Sequence, residues 1–357
     1  MNMPGLSRIS AQMRRLWPRT SPVGLILLYH RVAAPATDPQ LLSVTPERFA
    51  DQMAHLSRHF EVVSLHELVS RMPKAGTGSR LVAVTFDDGY ADNLSHAKPI
   101  LDSCKVPATV FVATAALATG SAFWWDELEQ LLLHPSSLPS SLKLEIEGRV
   151  FEWDIGRDAE YSSADFASHR TWNVLRCDDP TERHRLYRAL CRLFKPLTEE
   201  TRQRALCDLR AWASISHDRS PSPRMLTRED VRRLAEAPGV EVGAHTASHQ
   251  VLANLPLTAQ RKEIASSKAC LEAIMGRLVR TFAYPYGTRV DYTKDTAVLV
   301  KEEGFALACS NYPETVTSNS DVYQLPRFVV RDWTEAQFAG MLAAWWDGRE
   351  GEEPCDQ

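Results

Sequence analysis

The chain has 357 residues, 44% hydrophobic and 24% charged, with 41 Lys and Arg against 45 Asp and Glu for a net charge of −4. That balance excludes a disordered chain and offers no basic surplus for nucleic acid. Seven cysteines, odd in number, widely spaced and never in a CxxC pair, read as reduced thiols rather than a disulfide framework or a structural zinc site.

Residues 1–21 place Leu6, Ile9, Met13, Leu16 and Trp17 at helical spacing among Arg8, Arg14, Arg15 and Arg19. This basic amphipathic extension either docks on the domain or lies on an anionic membrane surface. The apolar run from Val23 to Tyr29 is too short to span a bilayer, is followed by no signal cleavage pattern, and reads as a buried strand.

A helix is expected from Pro46 to Phe60, with Phe49, Met53 and Leu56 on one face, Thr45 as N-cap and Pro at the first position. A short strand "EVVSL", a helix over Leu65 to Arg71, a buried strand "RLVAVTF", a helix over Asn93 to Cys104 and a buried strand "PATVFVAT" follow. Strands alternating with helices predict a parallel α/β sheet for residues 22–121, with chemistry in the loops at strand C-terminal ends.

The alternation stops at Phe123. Residues 122–222 read as a mostly helical insertion: a helix over "FWWDELEQLLL", a hairpin around Glu147 to Arg149, and helical stretches at Trp172 to Val174, Arg183 to Phe194 and Glu199 to Ala213, closed by the linker "SHDRSPSPR". It resumes over 223–340 with a helix capped by Thr227 and Asp230, strands "VEVGAHT", "VRTFAYPYG", "FALACS" and "YQLPRFVV", and helices over Thr258 to Gly276 and Asp295 to Glu303. A final helix "TEAQFAGMLAAWW" runs into the tail, residues 341–357.

Asp87 and Asp88 lie side by side where the second buried strand emerges. Two such carboxylates repel unless a cation or a shared proton accompanies them. Because consecutive side chains diverge at a strand end, one can bind a cation while the other faces a substrate water; a solvated turn around Gly89 is the plain alternative. His245 and His249, four apart and just after a strand, would come together on one side of a helical turn. Two imidazoles and one carboxylate suit zinc or a similar divalent ion and leave positions for water and substrate.

The stretches "TFDDG" at Thr85 to Gly89, His245 to His249, and "FAYPYG" at Phe282 to Gly287 make the sequence resemble the polysaccharide deacetylases of the NodB-homology type, carbohydrate esterase family 4. The motifs fall in family order on suitable strands, over about residues 25–119 and 225–330. The resemblance implies a distorted (β/α)7 barrel and a metal-dependent hydrolase removing an N-acyl group from an amino sugar. It places the base on Asp87, the metal ligands on Asp88, His245 and His249, and an oxyanion-binding backbone N–H at Tyr286. One divalent ion is implied, Zn2+ first, with Co2+, Ni2+, Mn2+ or Fe2+ as alternatives.

Two features depart from the family pattern. Ala283 and Tyr284 stand where many members carry an arginine that orients the aspartate, and no histidine follows His249 to serve as a late acid. Arg327 in "LPRF" could replace the arginine by pairing with Asp87, or form a surface ion pair. His30, ending the first strand in "LLYHRV", is the candidate acid, and that opening resembles family members that process exopolysaccharide or lipid-linked sugars.

Trp124 and Trp125 could stack on a sugar or fasten the insertion, and Trp333 resembles a late hydrophobic motif of the family. Cys309 has no partners for a nucleophilic triad, and no GxGxxG or GxxxxGK stretch supports a nucleotide cofactor. The resulting expectation is a cytoplasmic enzyme acting on a nucleotide-linked or lipid-linked glycan precursor, with the extension touching the inner membrane face. A deformylase or another amide hydrolase with the same centre, and a catalytically silent glycan-binding protein, are the alternatives.

Overall fold

Apolar strands hydrogen-bonded in parallel need cover on both faces, and seven of them form the centre of the protein. They are β1 (Gly24–Tyr29), β2 (Leu81–Phe86), β3 (Ala108–Val112), β4 (Val240–Ala244), β5 (Thr281–Ala283), β6 (Leu307–Cys309) and β7 (Phe328–Val329). In this computed structural model the described residues are 23–74, 80–120, 122–134, 136–214 and 223–349. The basic amphipathic extension and most of the linker "SHDRSPSPR" lie outside them. The spatial order is β6-β5-β4-β3-β2-β1-β7, with the two-residue strand Glu61–Val62 beside the start of β2. All these pairings are parallel. The sheet curls until one parallel bridge, Cys309 to Leu325, connects β6 to the segment leading into β7. This is the expected NodB-type (β/α)7 architecture.

Register decides where chemistry can occur. Tyr29 pairs with Phe86, Phe86 with Val110, Val112 with Ala244, and Ala244 with Phe282. The C-terminal ends of β1, β2 and β4 therefore open on one side, and His30, Asp87, Asp88 and His245 all emerge there.

Helices cover the outer face. On α1 (Pro46–His59), Phe49, Met53 and Leu56 turn into the core as their spacing predicted. Thr45 is not the side-chain cap expected: its hydroxyl makes no hydrogen bond to the helix N–H groups, and both the hydroxyl and the backbone N–H turn to Asp332, to which they donate. The stretch from Asn93 to Cys104 starts with a π-helical turn, Asn93–Ala97, before α2 (Lys98–Cys104).

The insertion has a hydrophobic core of its own. Leu128 and Leu132 of α3 (Trp124–Leu132) pack with Leu186, Leu190 and Phe194 of α4 (Glu182–Phe194), with Leu206 and Leu209 of α5 (Glu199–Ala213), and with the hairpin. That hairpin pairs Ser141–Ile146 with Arg149–Asp154 through Glu147 and Gly148, both at positive φ, a turn whose twist matches that of the strands. Arg183, fully buried, donates to the carbonyls of Leu132, Ser136, Asp158 and Ala159, satisfying a charge that would otherwise be expensive inside. Trp172 to Val174 is irregular rather than helical, and its backbone serves other segments: Val174 O accepts from Arg188, and the Val174 N–H donates to Pro39 O.

The insertion is tied to the barrel by Lys195 to Asp291 at 2.8 Å and by the Glu199 N–H to Gln250 Oε1. The second half of the barrel adds α6 (Arg228–Glu236), α7 (Leu257–Met275), α8 (Lys294–Glu302) and α9 (Glu335–Trp346). On α6 the box is as read from sequence, Thr227 accepting from the Asp230 N–H while Asp230 accepts from the Thr227 N–H. Among the described residues no helix is long and apolar enough to cross a membrane.

The closest approach inside the sheet is at Gly243, where a Cβ would stand 2.5 Å from the Phe111 ring and 2.6 Å from Thr281 Oγ1. Gly243→Val should destabilise the fold by about 1–3 kcal/mol through overpacking. A denaturation curve superimposable on that of the parent would show that β3, β4 and β5 are not packed this tightly.

Candidate metal centre and active-site pocket

Strand β2 delivers Asp87 and Asp88 in different directions because the backbone reverses at once. Asp87 N–H still donates to Tyr29 O as in the sheet, whereas Asp88 has φ +76 and Gly89 φ +83. A Cβ on Gly89 would press on Val112 Cγ1 at 3.0 Å, so both the turn and the space favour glycine.

Asp87 points to a fully buried arginine. Arg327, just before β7, donates Nη1 to Asp87 Oδ1 at 2.7 Å and Nη2 to Oδ2 at 2.6 Å. Its Nε donates to Ser310 O, and Nη1 also reaches Thr85 Oγ1. This planar fork matches the carboxylate on both oxygens. Burial would raise the Asp87 pKa, but the guanidinium outweighs it and holds the carboxyl below the usual carboxylate range.

Asp88 points the other way, toward two histidines. His249 Nε2 is 3.2 Å and His245 Nε2 3.6 Å from Asp88 Oδ1, and all three groups are buried. Asp87 Oδ2 is farther from His245 Nε2, at 3.9 Å, drawn aside by Arg327. His245 Nδ1 is 2.8 Å from Ala283 O, which can only accept a hydrogen bond from it; in the neutral ring Nε2 is then left with its lone pair facing Asp88. His249 Nδ1 is buried and, among the described residues, has no hydrogen-bond partner.

The two histidines do not share a helical turn. Residues 245–249 form a loop with Thr246 at φ +62 and His249 at φ +55, and the His249 N–H donates to Thr246 Oγ1. Glu263 of α7 holds this loop by accepting from the N–H groups of Ala247 and Ser248 and from the Ser248 hydroxyl. Among the described residues, four of the eight non-glycine residues at positive φ (Asp88, Thr246, His249 and Tyr286) belong to this site. Such backbone costs on the order of 1–3 kcal/mol per residue and persists where surrounding contacts enforce it.

The Asp88, His245 and His249 ligand atoms lie within 4.8 Å of one another. Ligands about 2.1 Å from a tetrahedral ion stand about 3.4 Å apart, and the two histidine-to-Asp88 separations, 3.2 and 3.6 Å, bracket that value. The donor set, two imidazole nitrogens and one carboxylate, fits a divalent transition ion.

Above the trio lies a cavity of about 450 Å³, lined by His30, Trp124, Trp125 and Tyr286 among others. Burial lowers the His30 pKa against the pull of Asp88 and Asp87, which favours the neutral ring. The rings of Phe123, Trp125 and Tyr286 meet the His249 ring edge-on or obliquely with centroids 5.1, 5.2 and 4.8 Å away. Trp125 Nε1 donates to Tyr90 Oη, which donates to buried Asp126. Trp124 and Trp125 thus belong to the insertion's core and to the pocket wall together. Among the described residues the Tyr286 N–H donates to no protein acceptor.

Trp333 is a correction. It lies in the barrel core against Trp345 of α9, with centroids 6.0 Å apart, and does not line the cavity. Gln40, Asn311, Glu263 and the basic side chains of α4 carry no sequence signal for their place around the pocket; only the fold brings them there.

A family model described as polysaccharide deacetylase matches residues 74–206 and 209–308, more than half of the chain. No curated protein sequence matches. Among solved structures, the chain resembles the Streptococcus pyogenes deacetylase PplD in complex with acetate at 16% identity and TM-score 0.54, covering 88% of this chain and 96% of that one. IcaB from Ammonifex degensii has 18% identity and TM-score 0.53, with coverage of 92% and 98%. BC0361, a polysaccharide deacetylase from Bacillus cereus, has 16% identity and TM-score 0.52, with coverage of 89% and 68%. At these identities the structural likeness concerns the fold.

The Arg327–Asp87 pair sets a stability expectation. Arg327→Met should cost about 3–5 kcal/mol, the range for stripping one partner from a buried ion pair. Adding Asp87→Asn should recover part of that loss in chemical denaturation, and strictly additive effects would mean that the two groups are not coupled.

Proposed function

Because the chain belongs to the polysaccharide deacetylase family, we propose that it is a metal-dependent hydrolase that removes an N-acyl group, most simply acetyl, from an amino sugar in a glycan or glycan precursor. The observation that carries this reading is the opposite orientation of two adjacent aspartates, Asp88 into a histidine pair and Asp87 onto a buried arginine. Asp88, His245 and His249 would hold the ion, which when bound supplies Lewis acidity for the acyl oxygen and for a water, with Zn2+ the best match to the donor set.

The rest is the work of the chain's own side chains. Asp87, kept ionised and oriented by Arg327, accepts a proton from the attacking water. The Tyr286 N–H is the candidate donor to the oxyanion that develops on the acyl group. Among the three histidines lining the cavity His30 is the one outside the ligand trio, and it is assigned delivery of a proton to the leaving amine. Burial disfavours a charged His30 ring, so the proton that Asp87 takes from water balances the one the leaving amine receives. Trp124 and Trp125 offer an aromatic wall for the sugar.

Asp88→Asn, His245→Ala and His249→Ala should each lose bound metal and activity together, measured by metal analysis beside an amine-release assay; full occupancy in all three would end the ligand assignment. Asp87→Asn should keep its metal and lose about 10²–10⁴ in kcat, the usual contribution of a positioned base. His30→Gln should lower kcat by at least tenfold with KM changed less than threefold. Unaltered kinetics in that variant would move the proton donor elsewhere.

A further inference from the structure

Both carboxylates lining the cavity are already matched, Asp87 by Arg327 and Asp88 by the two histidines. Four cationic side chains, Arg188, Arg192, Lys195 and Arg331, line the same cavity. In a chain of net charge −4 this excess is local. Three of the four come from the insertion, at a spacing of four and then three along α4 and the residue that caps it, which puts them on one side of the helix.

Their engagements differ. Arg188 is committed to the insertion, with donors on Asp179 and on the carbonyls of Val174 and Arg176. Lys195 pairs with Asp291 yet keeps 38% of its side chain exposed, with Nζ 4.6 Å from the Tyr286 ring centre. Arg192 is exposed and, among the described residues, makes no hydrogen bond or ion pair. Arg331 comes from the opposite wall, after β7, and donates to Leu41 O; its charge acts on His30.

Cations in the last turn of a helix can simply complement its dipole. That explanation covers Arg192 and Lys195 but not Arg331, which lies on no helix and faces the same space. A neutral sugar entering here would desolvate these charges without replacing their water, whereas a phosphate offers several acceptor oxygens to guanidinium forks on two walls.

We propose that the substrate bears a phosphate group on or next to the N-acylated sugar, and that Arg192 and Lys195 of the insertion, with Arg331 of the barrel, bind it. The insertion thereby serves as the specificity wall of the pocket. The identity of the sugar rests on the hydrolase reading above, whereas the anion preference rests on the charges alone.

The test uses the full metal-loaded chain and four probes: N-acetylglucosamine 1-phosphate, UDP-N-acetylglucosamine, a short-chain polyprenyl diphosphate N-acetylglucosamine, and neutral tri-N-acetylchitotriose. At least one phosphate-bearing probe should exceed the neutral one tenfold or more in affinity by calorimetry and, where amine is released, in kcat/KM. Arg192→Glu should weaken that probe at least tenfold and leave the neutral probe within twofold, a pattern that phosphate held only by the metal would not give. Preference for the nucleotide or the polyprenyl probe identifies the source, and either supports the proposal. Equal binding of neutral and phosphate probes, or an equal effect of Arg192→Glu on both, overturns it. Arg192-dependent phosphate binding without amine release would leave the anion site standing and remove the hydrolase reading; amine release without phosphate preference would do the reverse.

Discussion

A guanidinium buried among β2, β6 and β7 separates the duties of two neighbouring carboxylates. Without it, Asp87 and Asp88 would be two buried like charges side by side, since burial raises the pKa of each and repulsion adds to it. Arg327 neutralises one of them through two parallel hydrogen bonds and draws it 3.9 Å from His245, while the histidines take the other. The pair spans 240 positions of sequence, so the final barrel strand must be in place before the first acidic motif acquires its geometry. Closure of the barrel and organisation of the site are therefore one event.

The same coupling explains where backbone strain collects. Asp88, Thr246, His249 and Tyr286 all adopt left-handed conformations, and each lies in a loop at a strand end rather than within a strand. Rigid neighbours enforce them: Glu263 from α7 ties down the histidine loop, and Gly287 N–H and O close hydrogen bonds to Pro285 O and the Asn311 N–H beside Tyr286. A parallel sheet supplies fixed starting points, and short strained turns then aim the side chains inward.

Much of this was legible in the sequence. The strand-and-helix rhythm and the elements of residues 122–222 follow from apolar periodicity, and the rule that strand ends share a mouth brings the acidic pair and the two histidines to one end of the sheet; that Asp88 rather than Asp87 joins the histidines came from the family resemblance. The histidine spacing led to the right neighbours through the wrong local structure: four residues span one helical turn, but a tight loop with two left-handed residues also brings such positions together. Thr45 and Trp333 show the opposite limit. A threonine before Pro46 looks like a cap until Asp332, almost three hundred residues away, takes its hydroxyl, and a tryptophan near the last strand looks available until α9 packs against it. In both cases a distant partner competes with a local preference, and nothing in the local sequence encodes the partner.

The insertion shows why a composition average can hide a site. Over the whole chain acidic residues outnumber basic ones by four, yet the cavity gathers four cationic side chains beside two neutralised aspartates. Periodicity reports that Arg188, Arg192 and Lys195 share a side of one helix, which by itself describes any solvated helix face. What changes their meaning is the docking of α4 over the barrel mouth through Lys195 and Asp291 and through the core around Trp124 and Phe194. An ordinary polar stripe becomes one wall of the pocket, facing Arg331 from the other. The charge a substrate meets is set by that packing, and it opposes the sign of the protein as a whole.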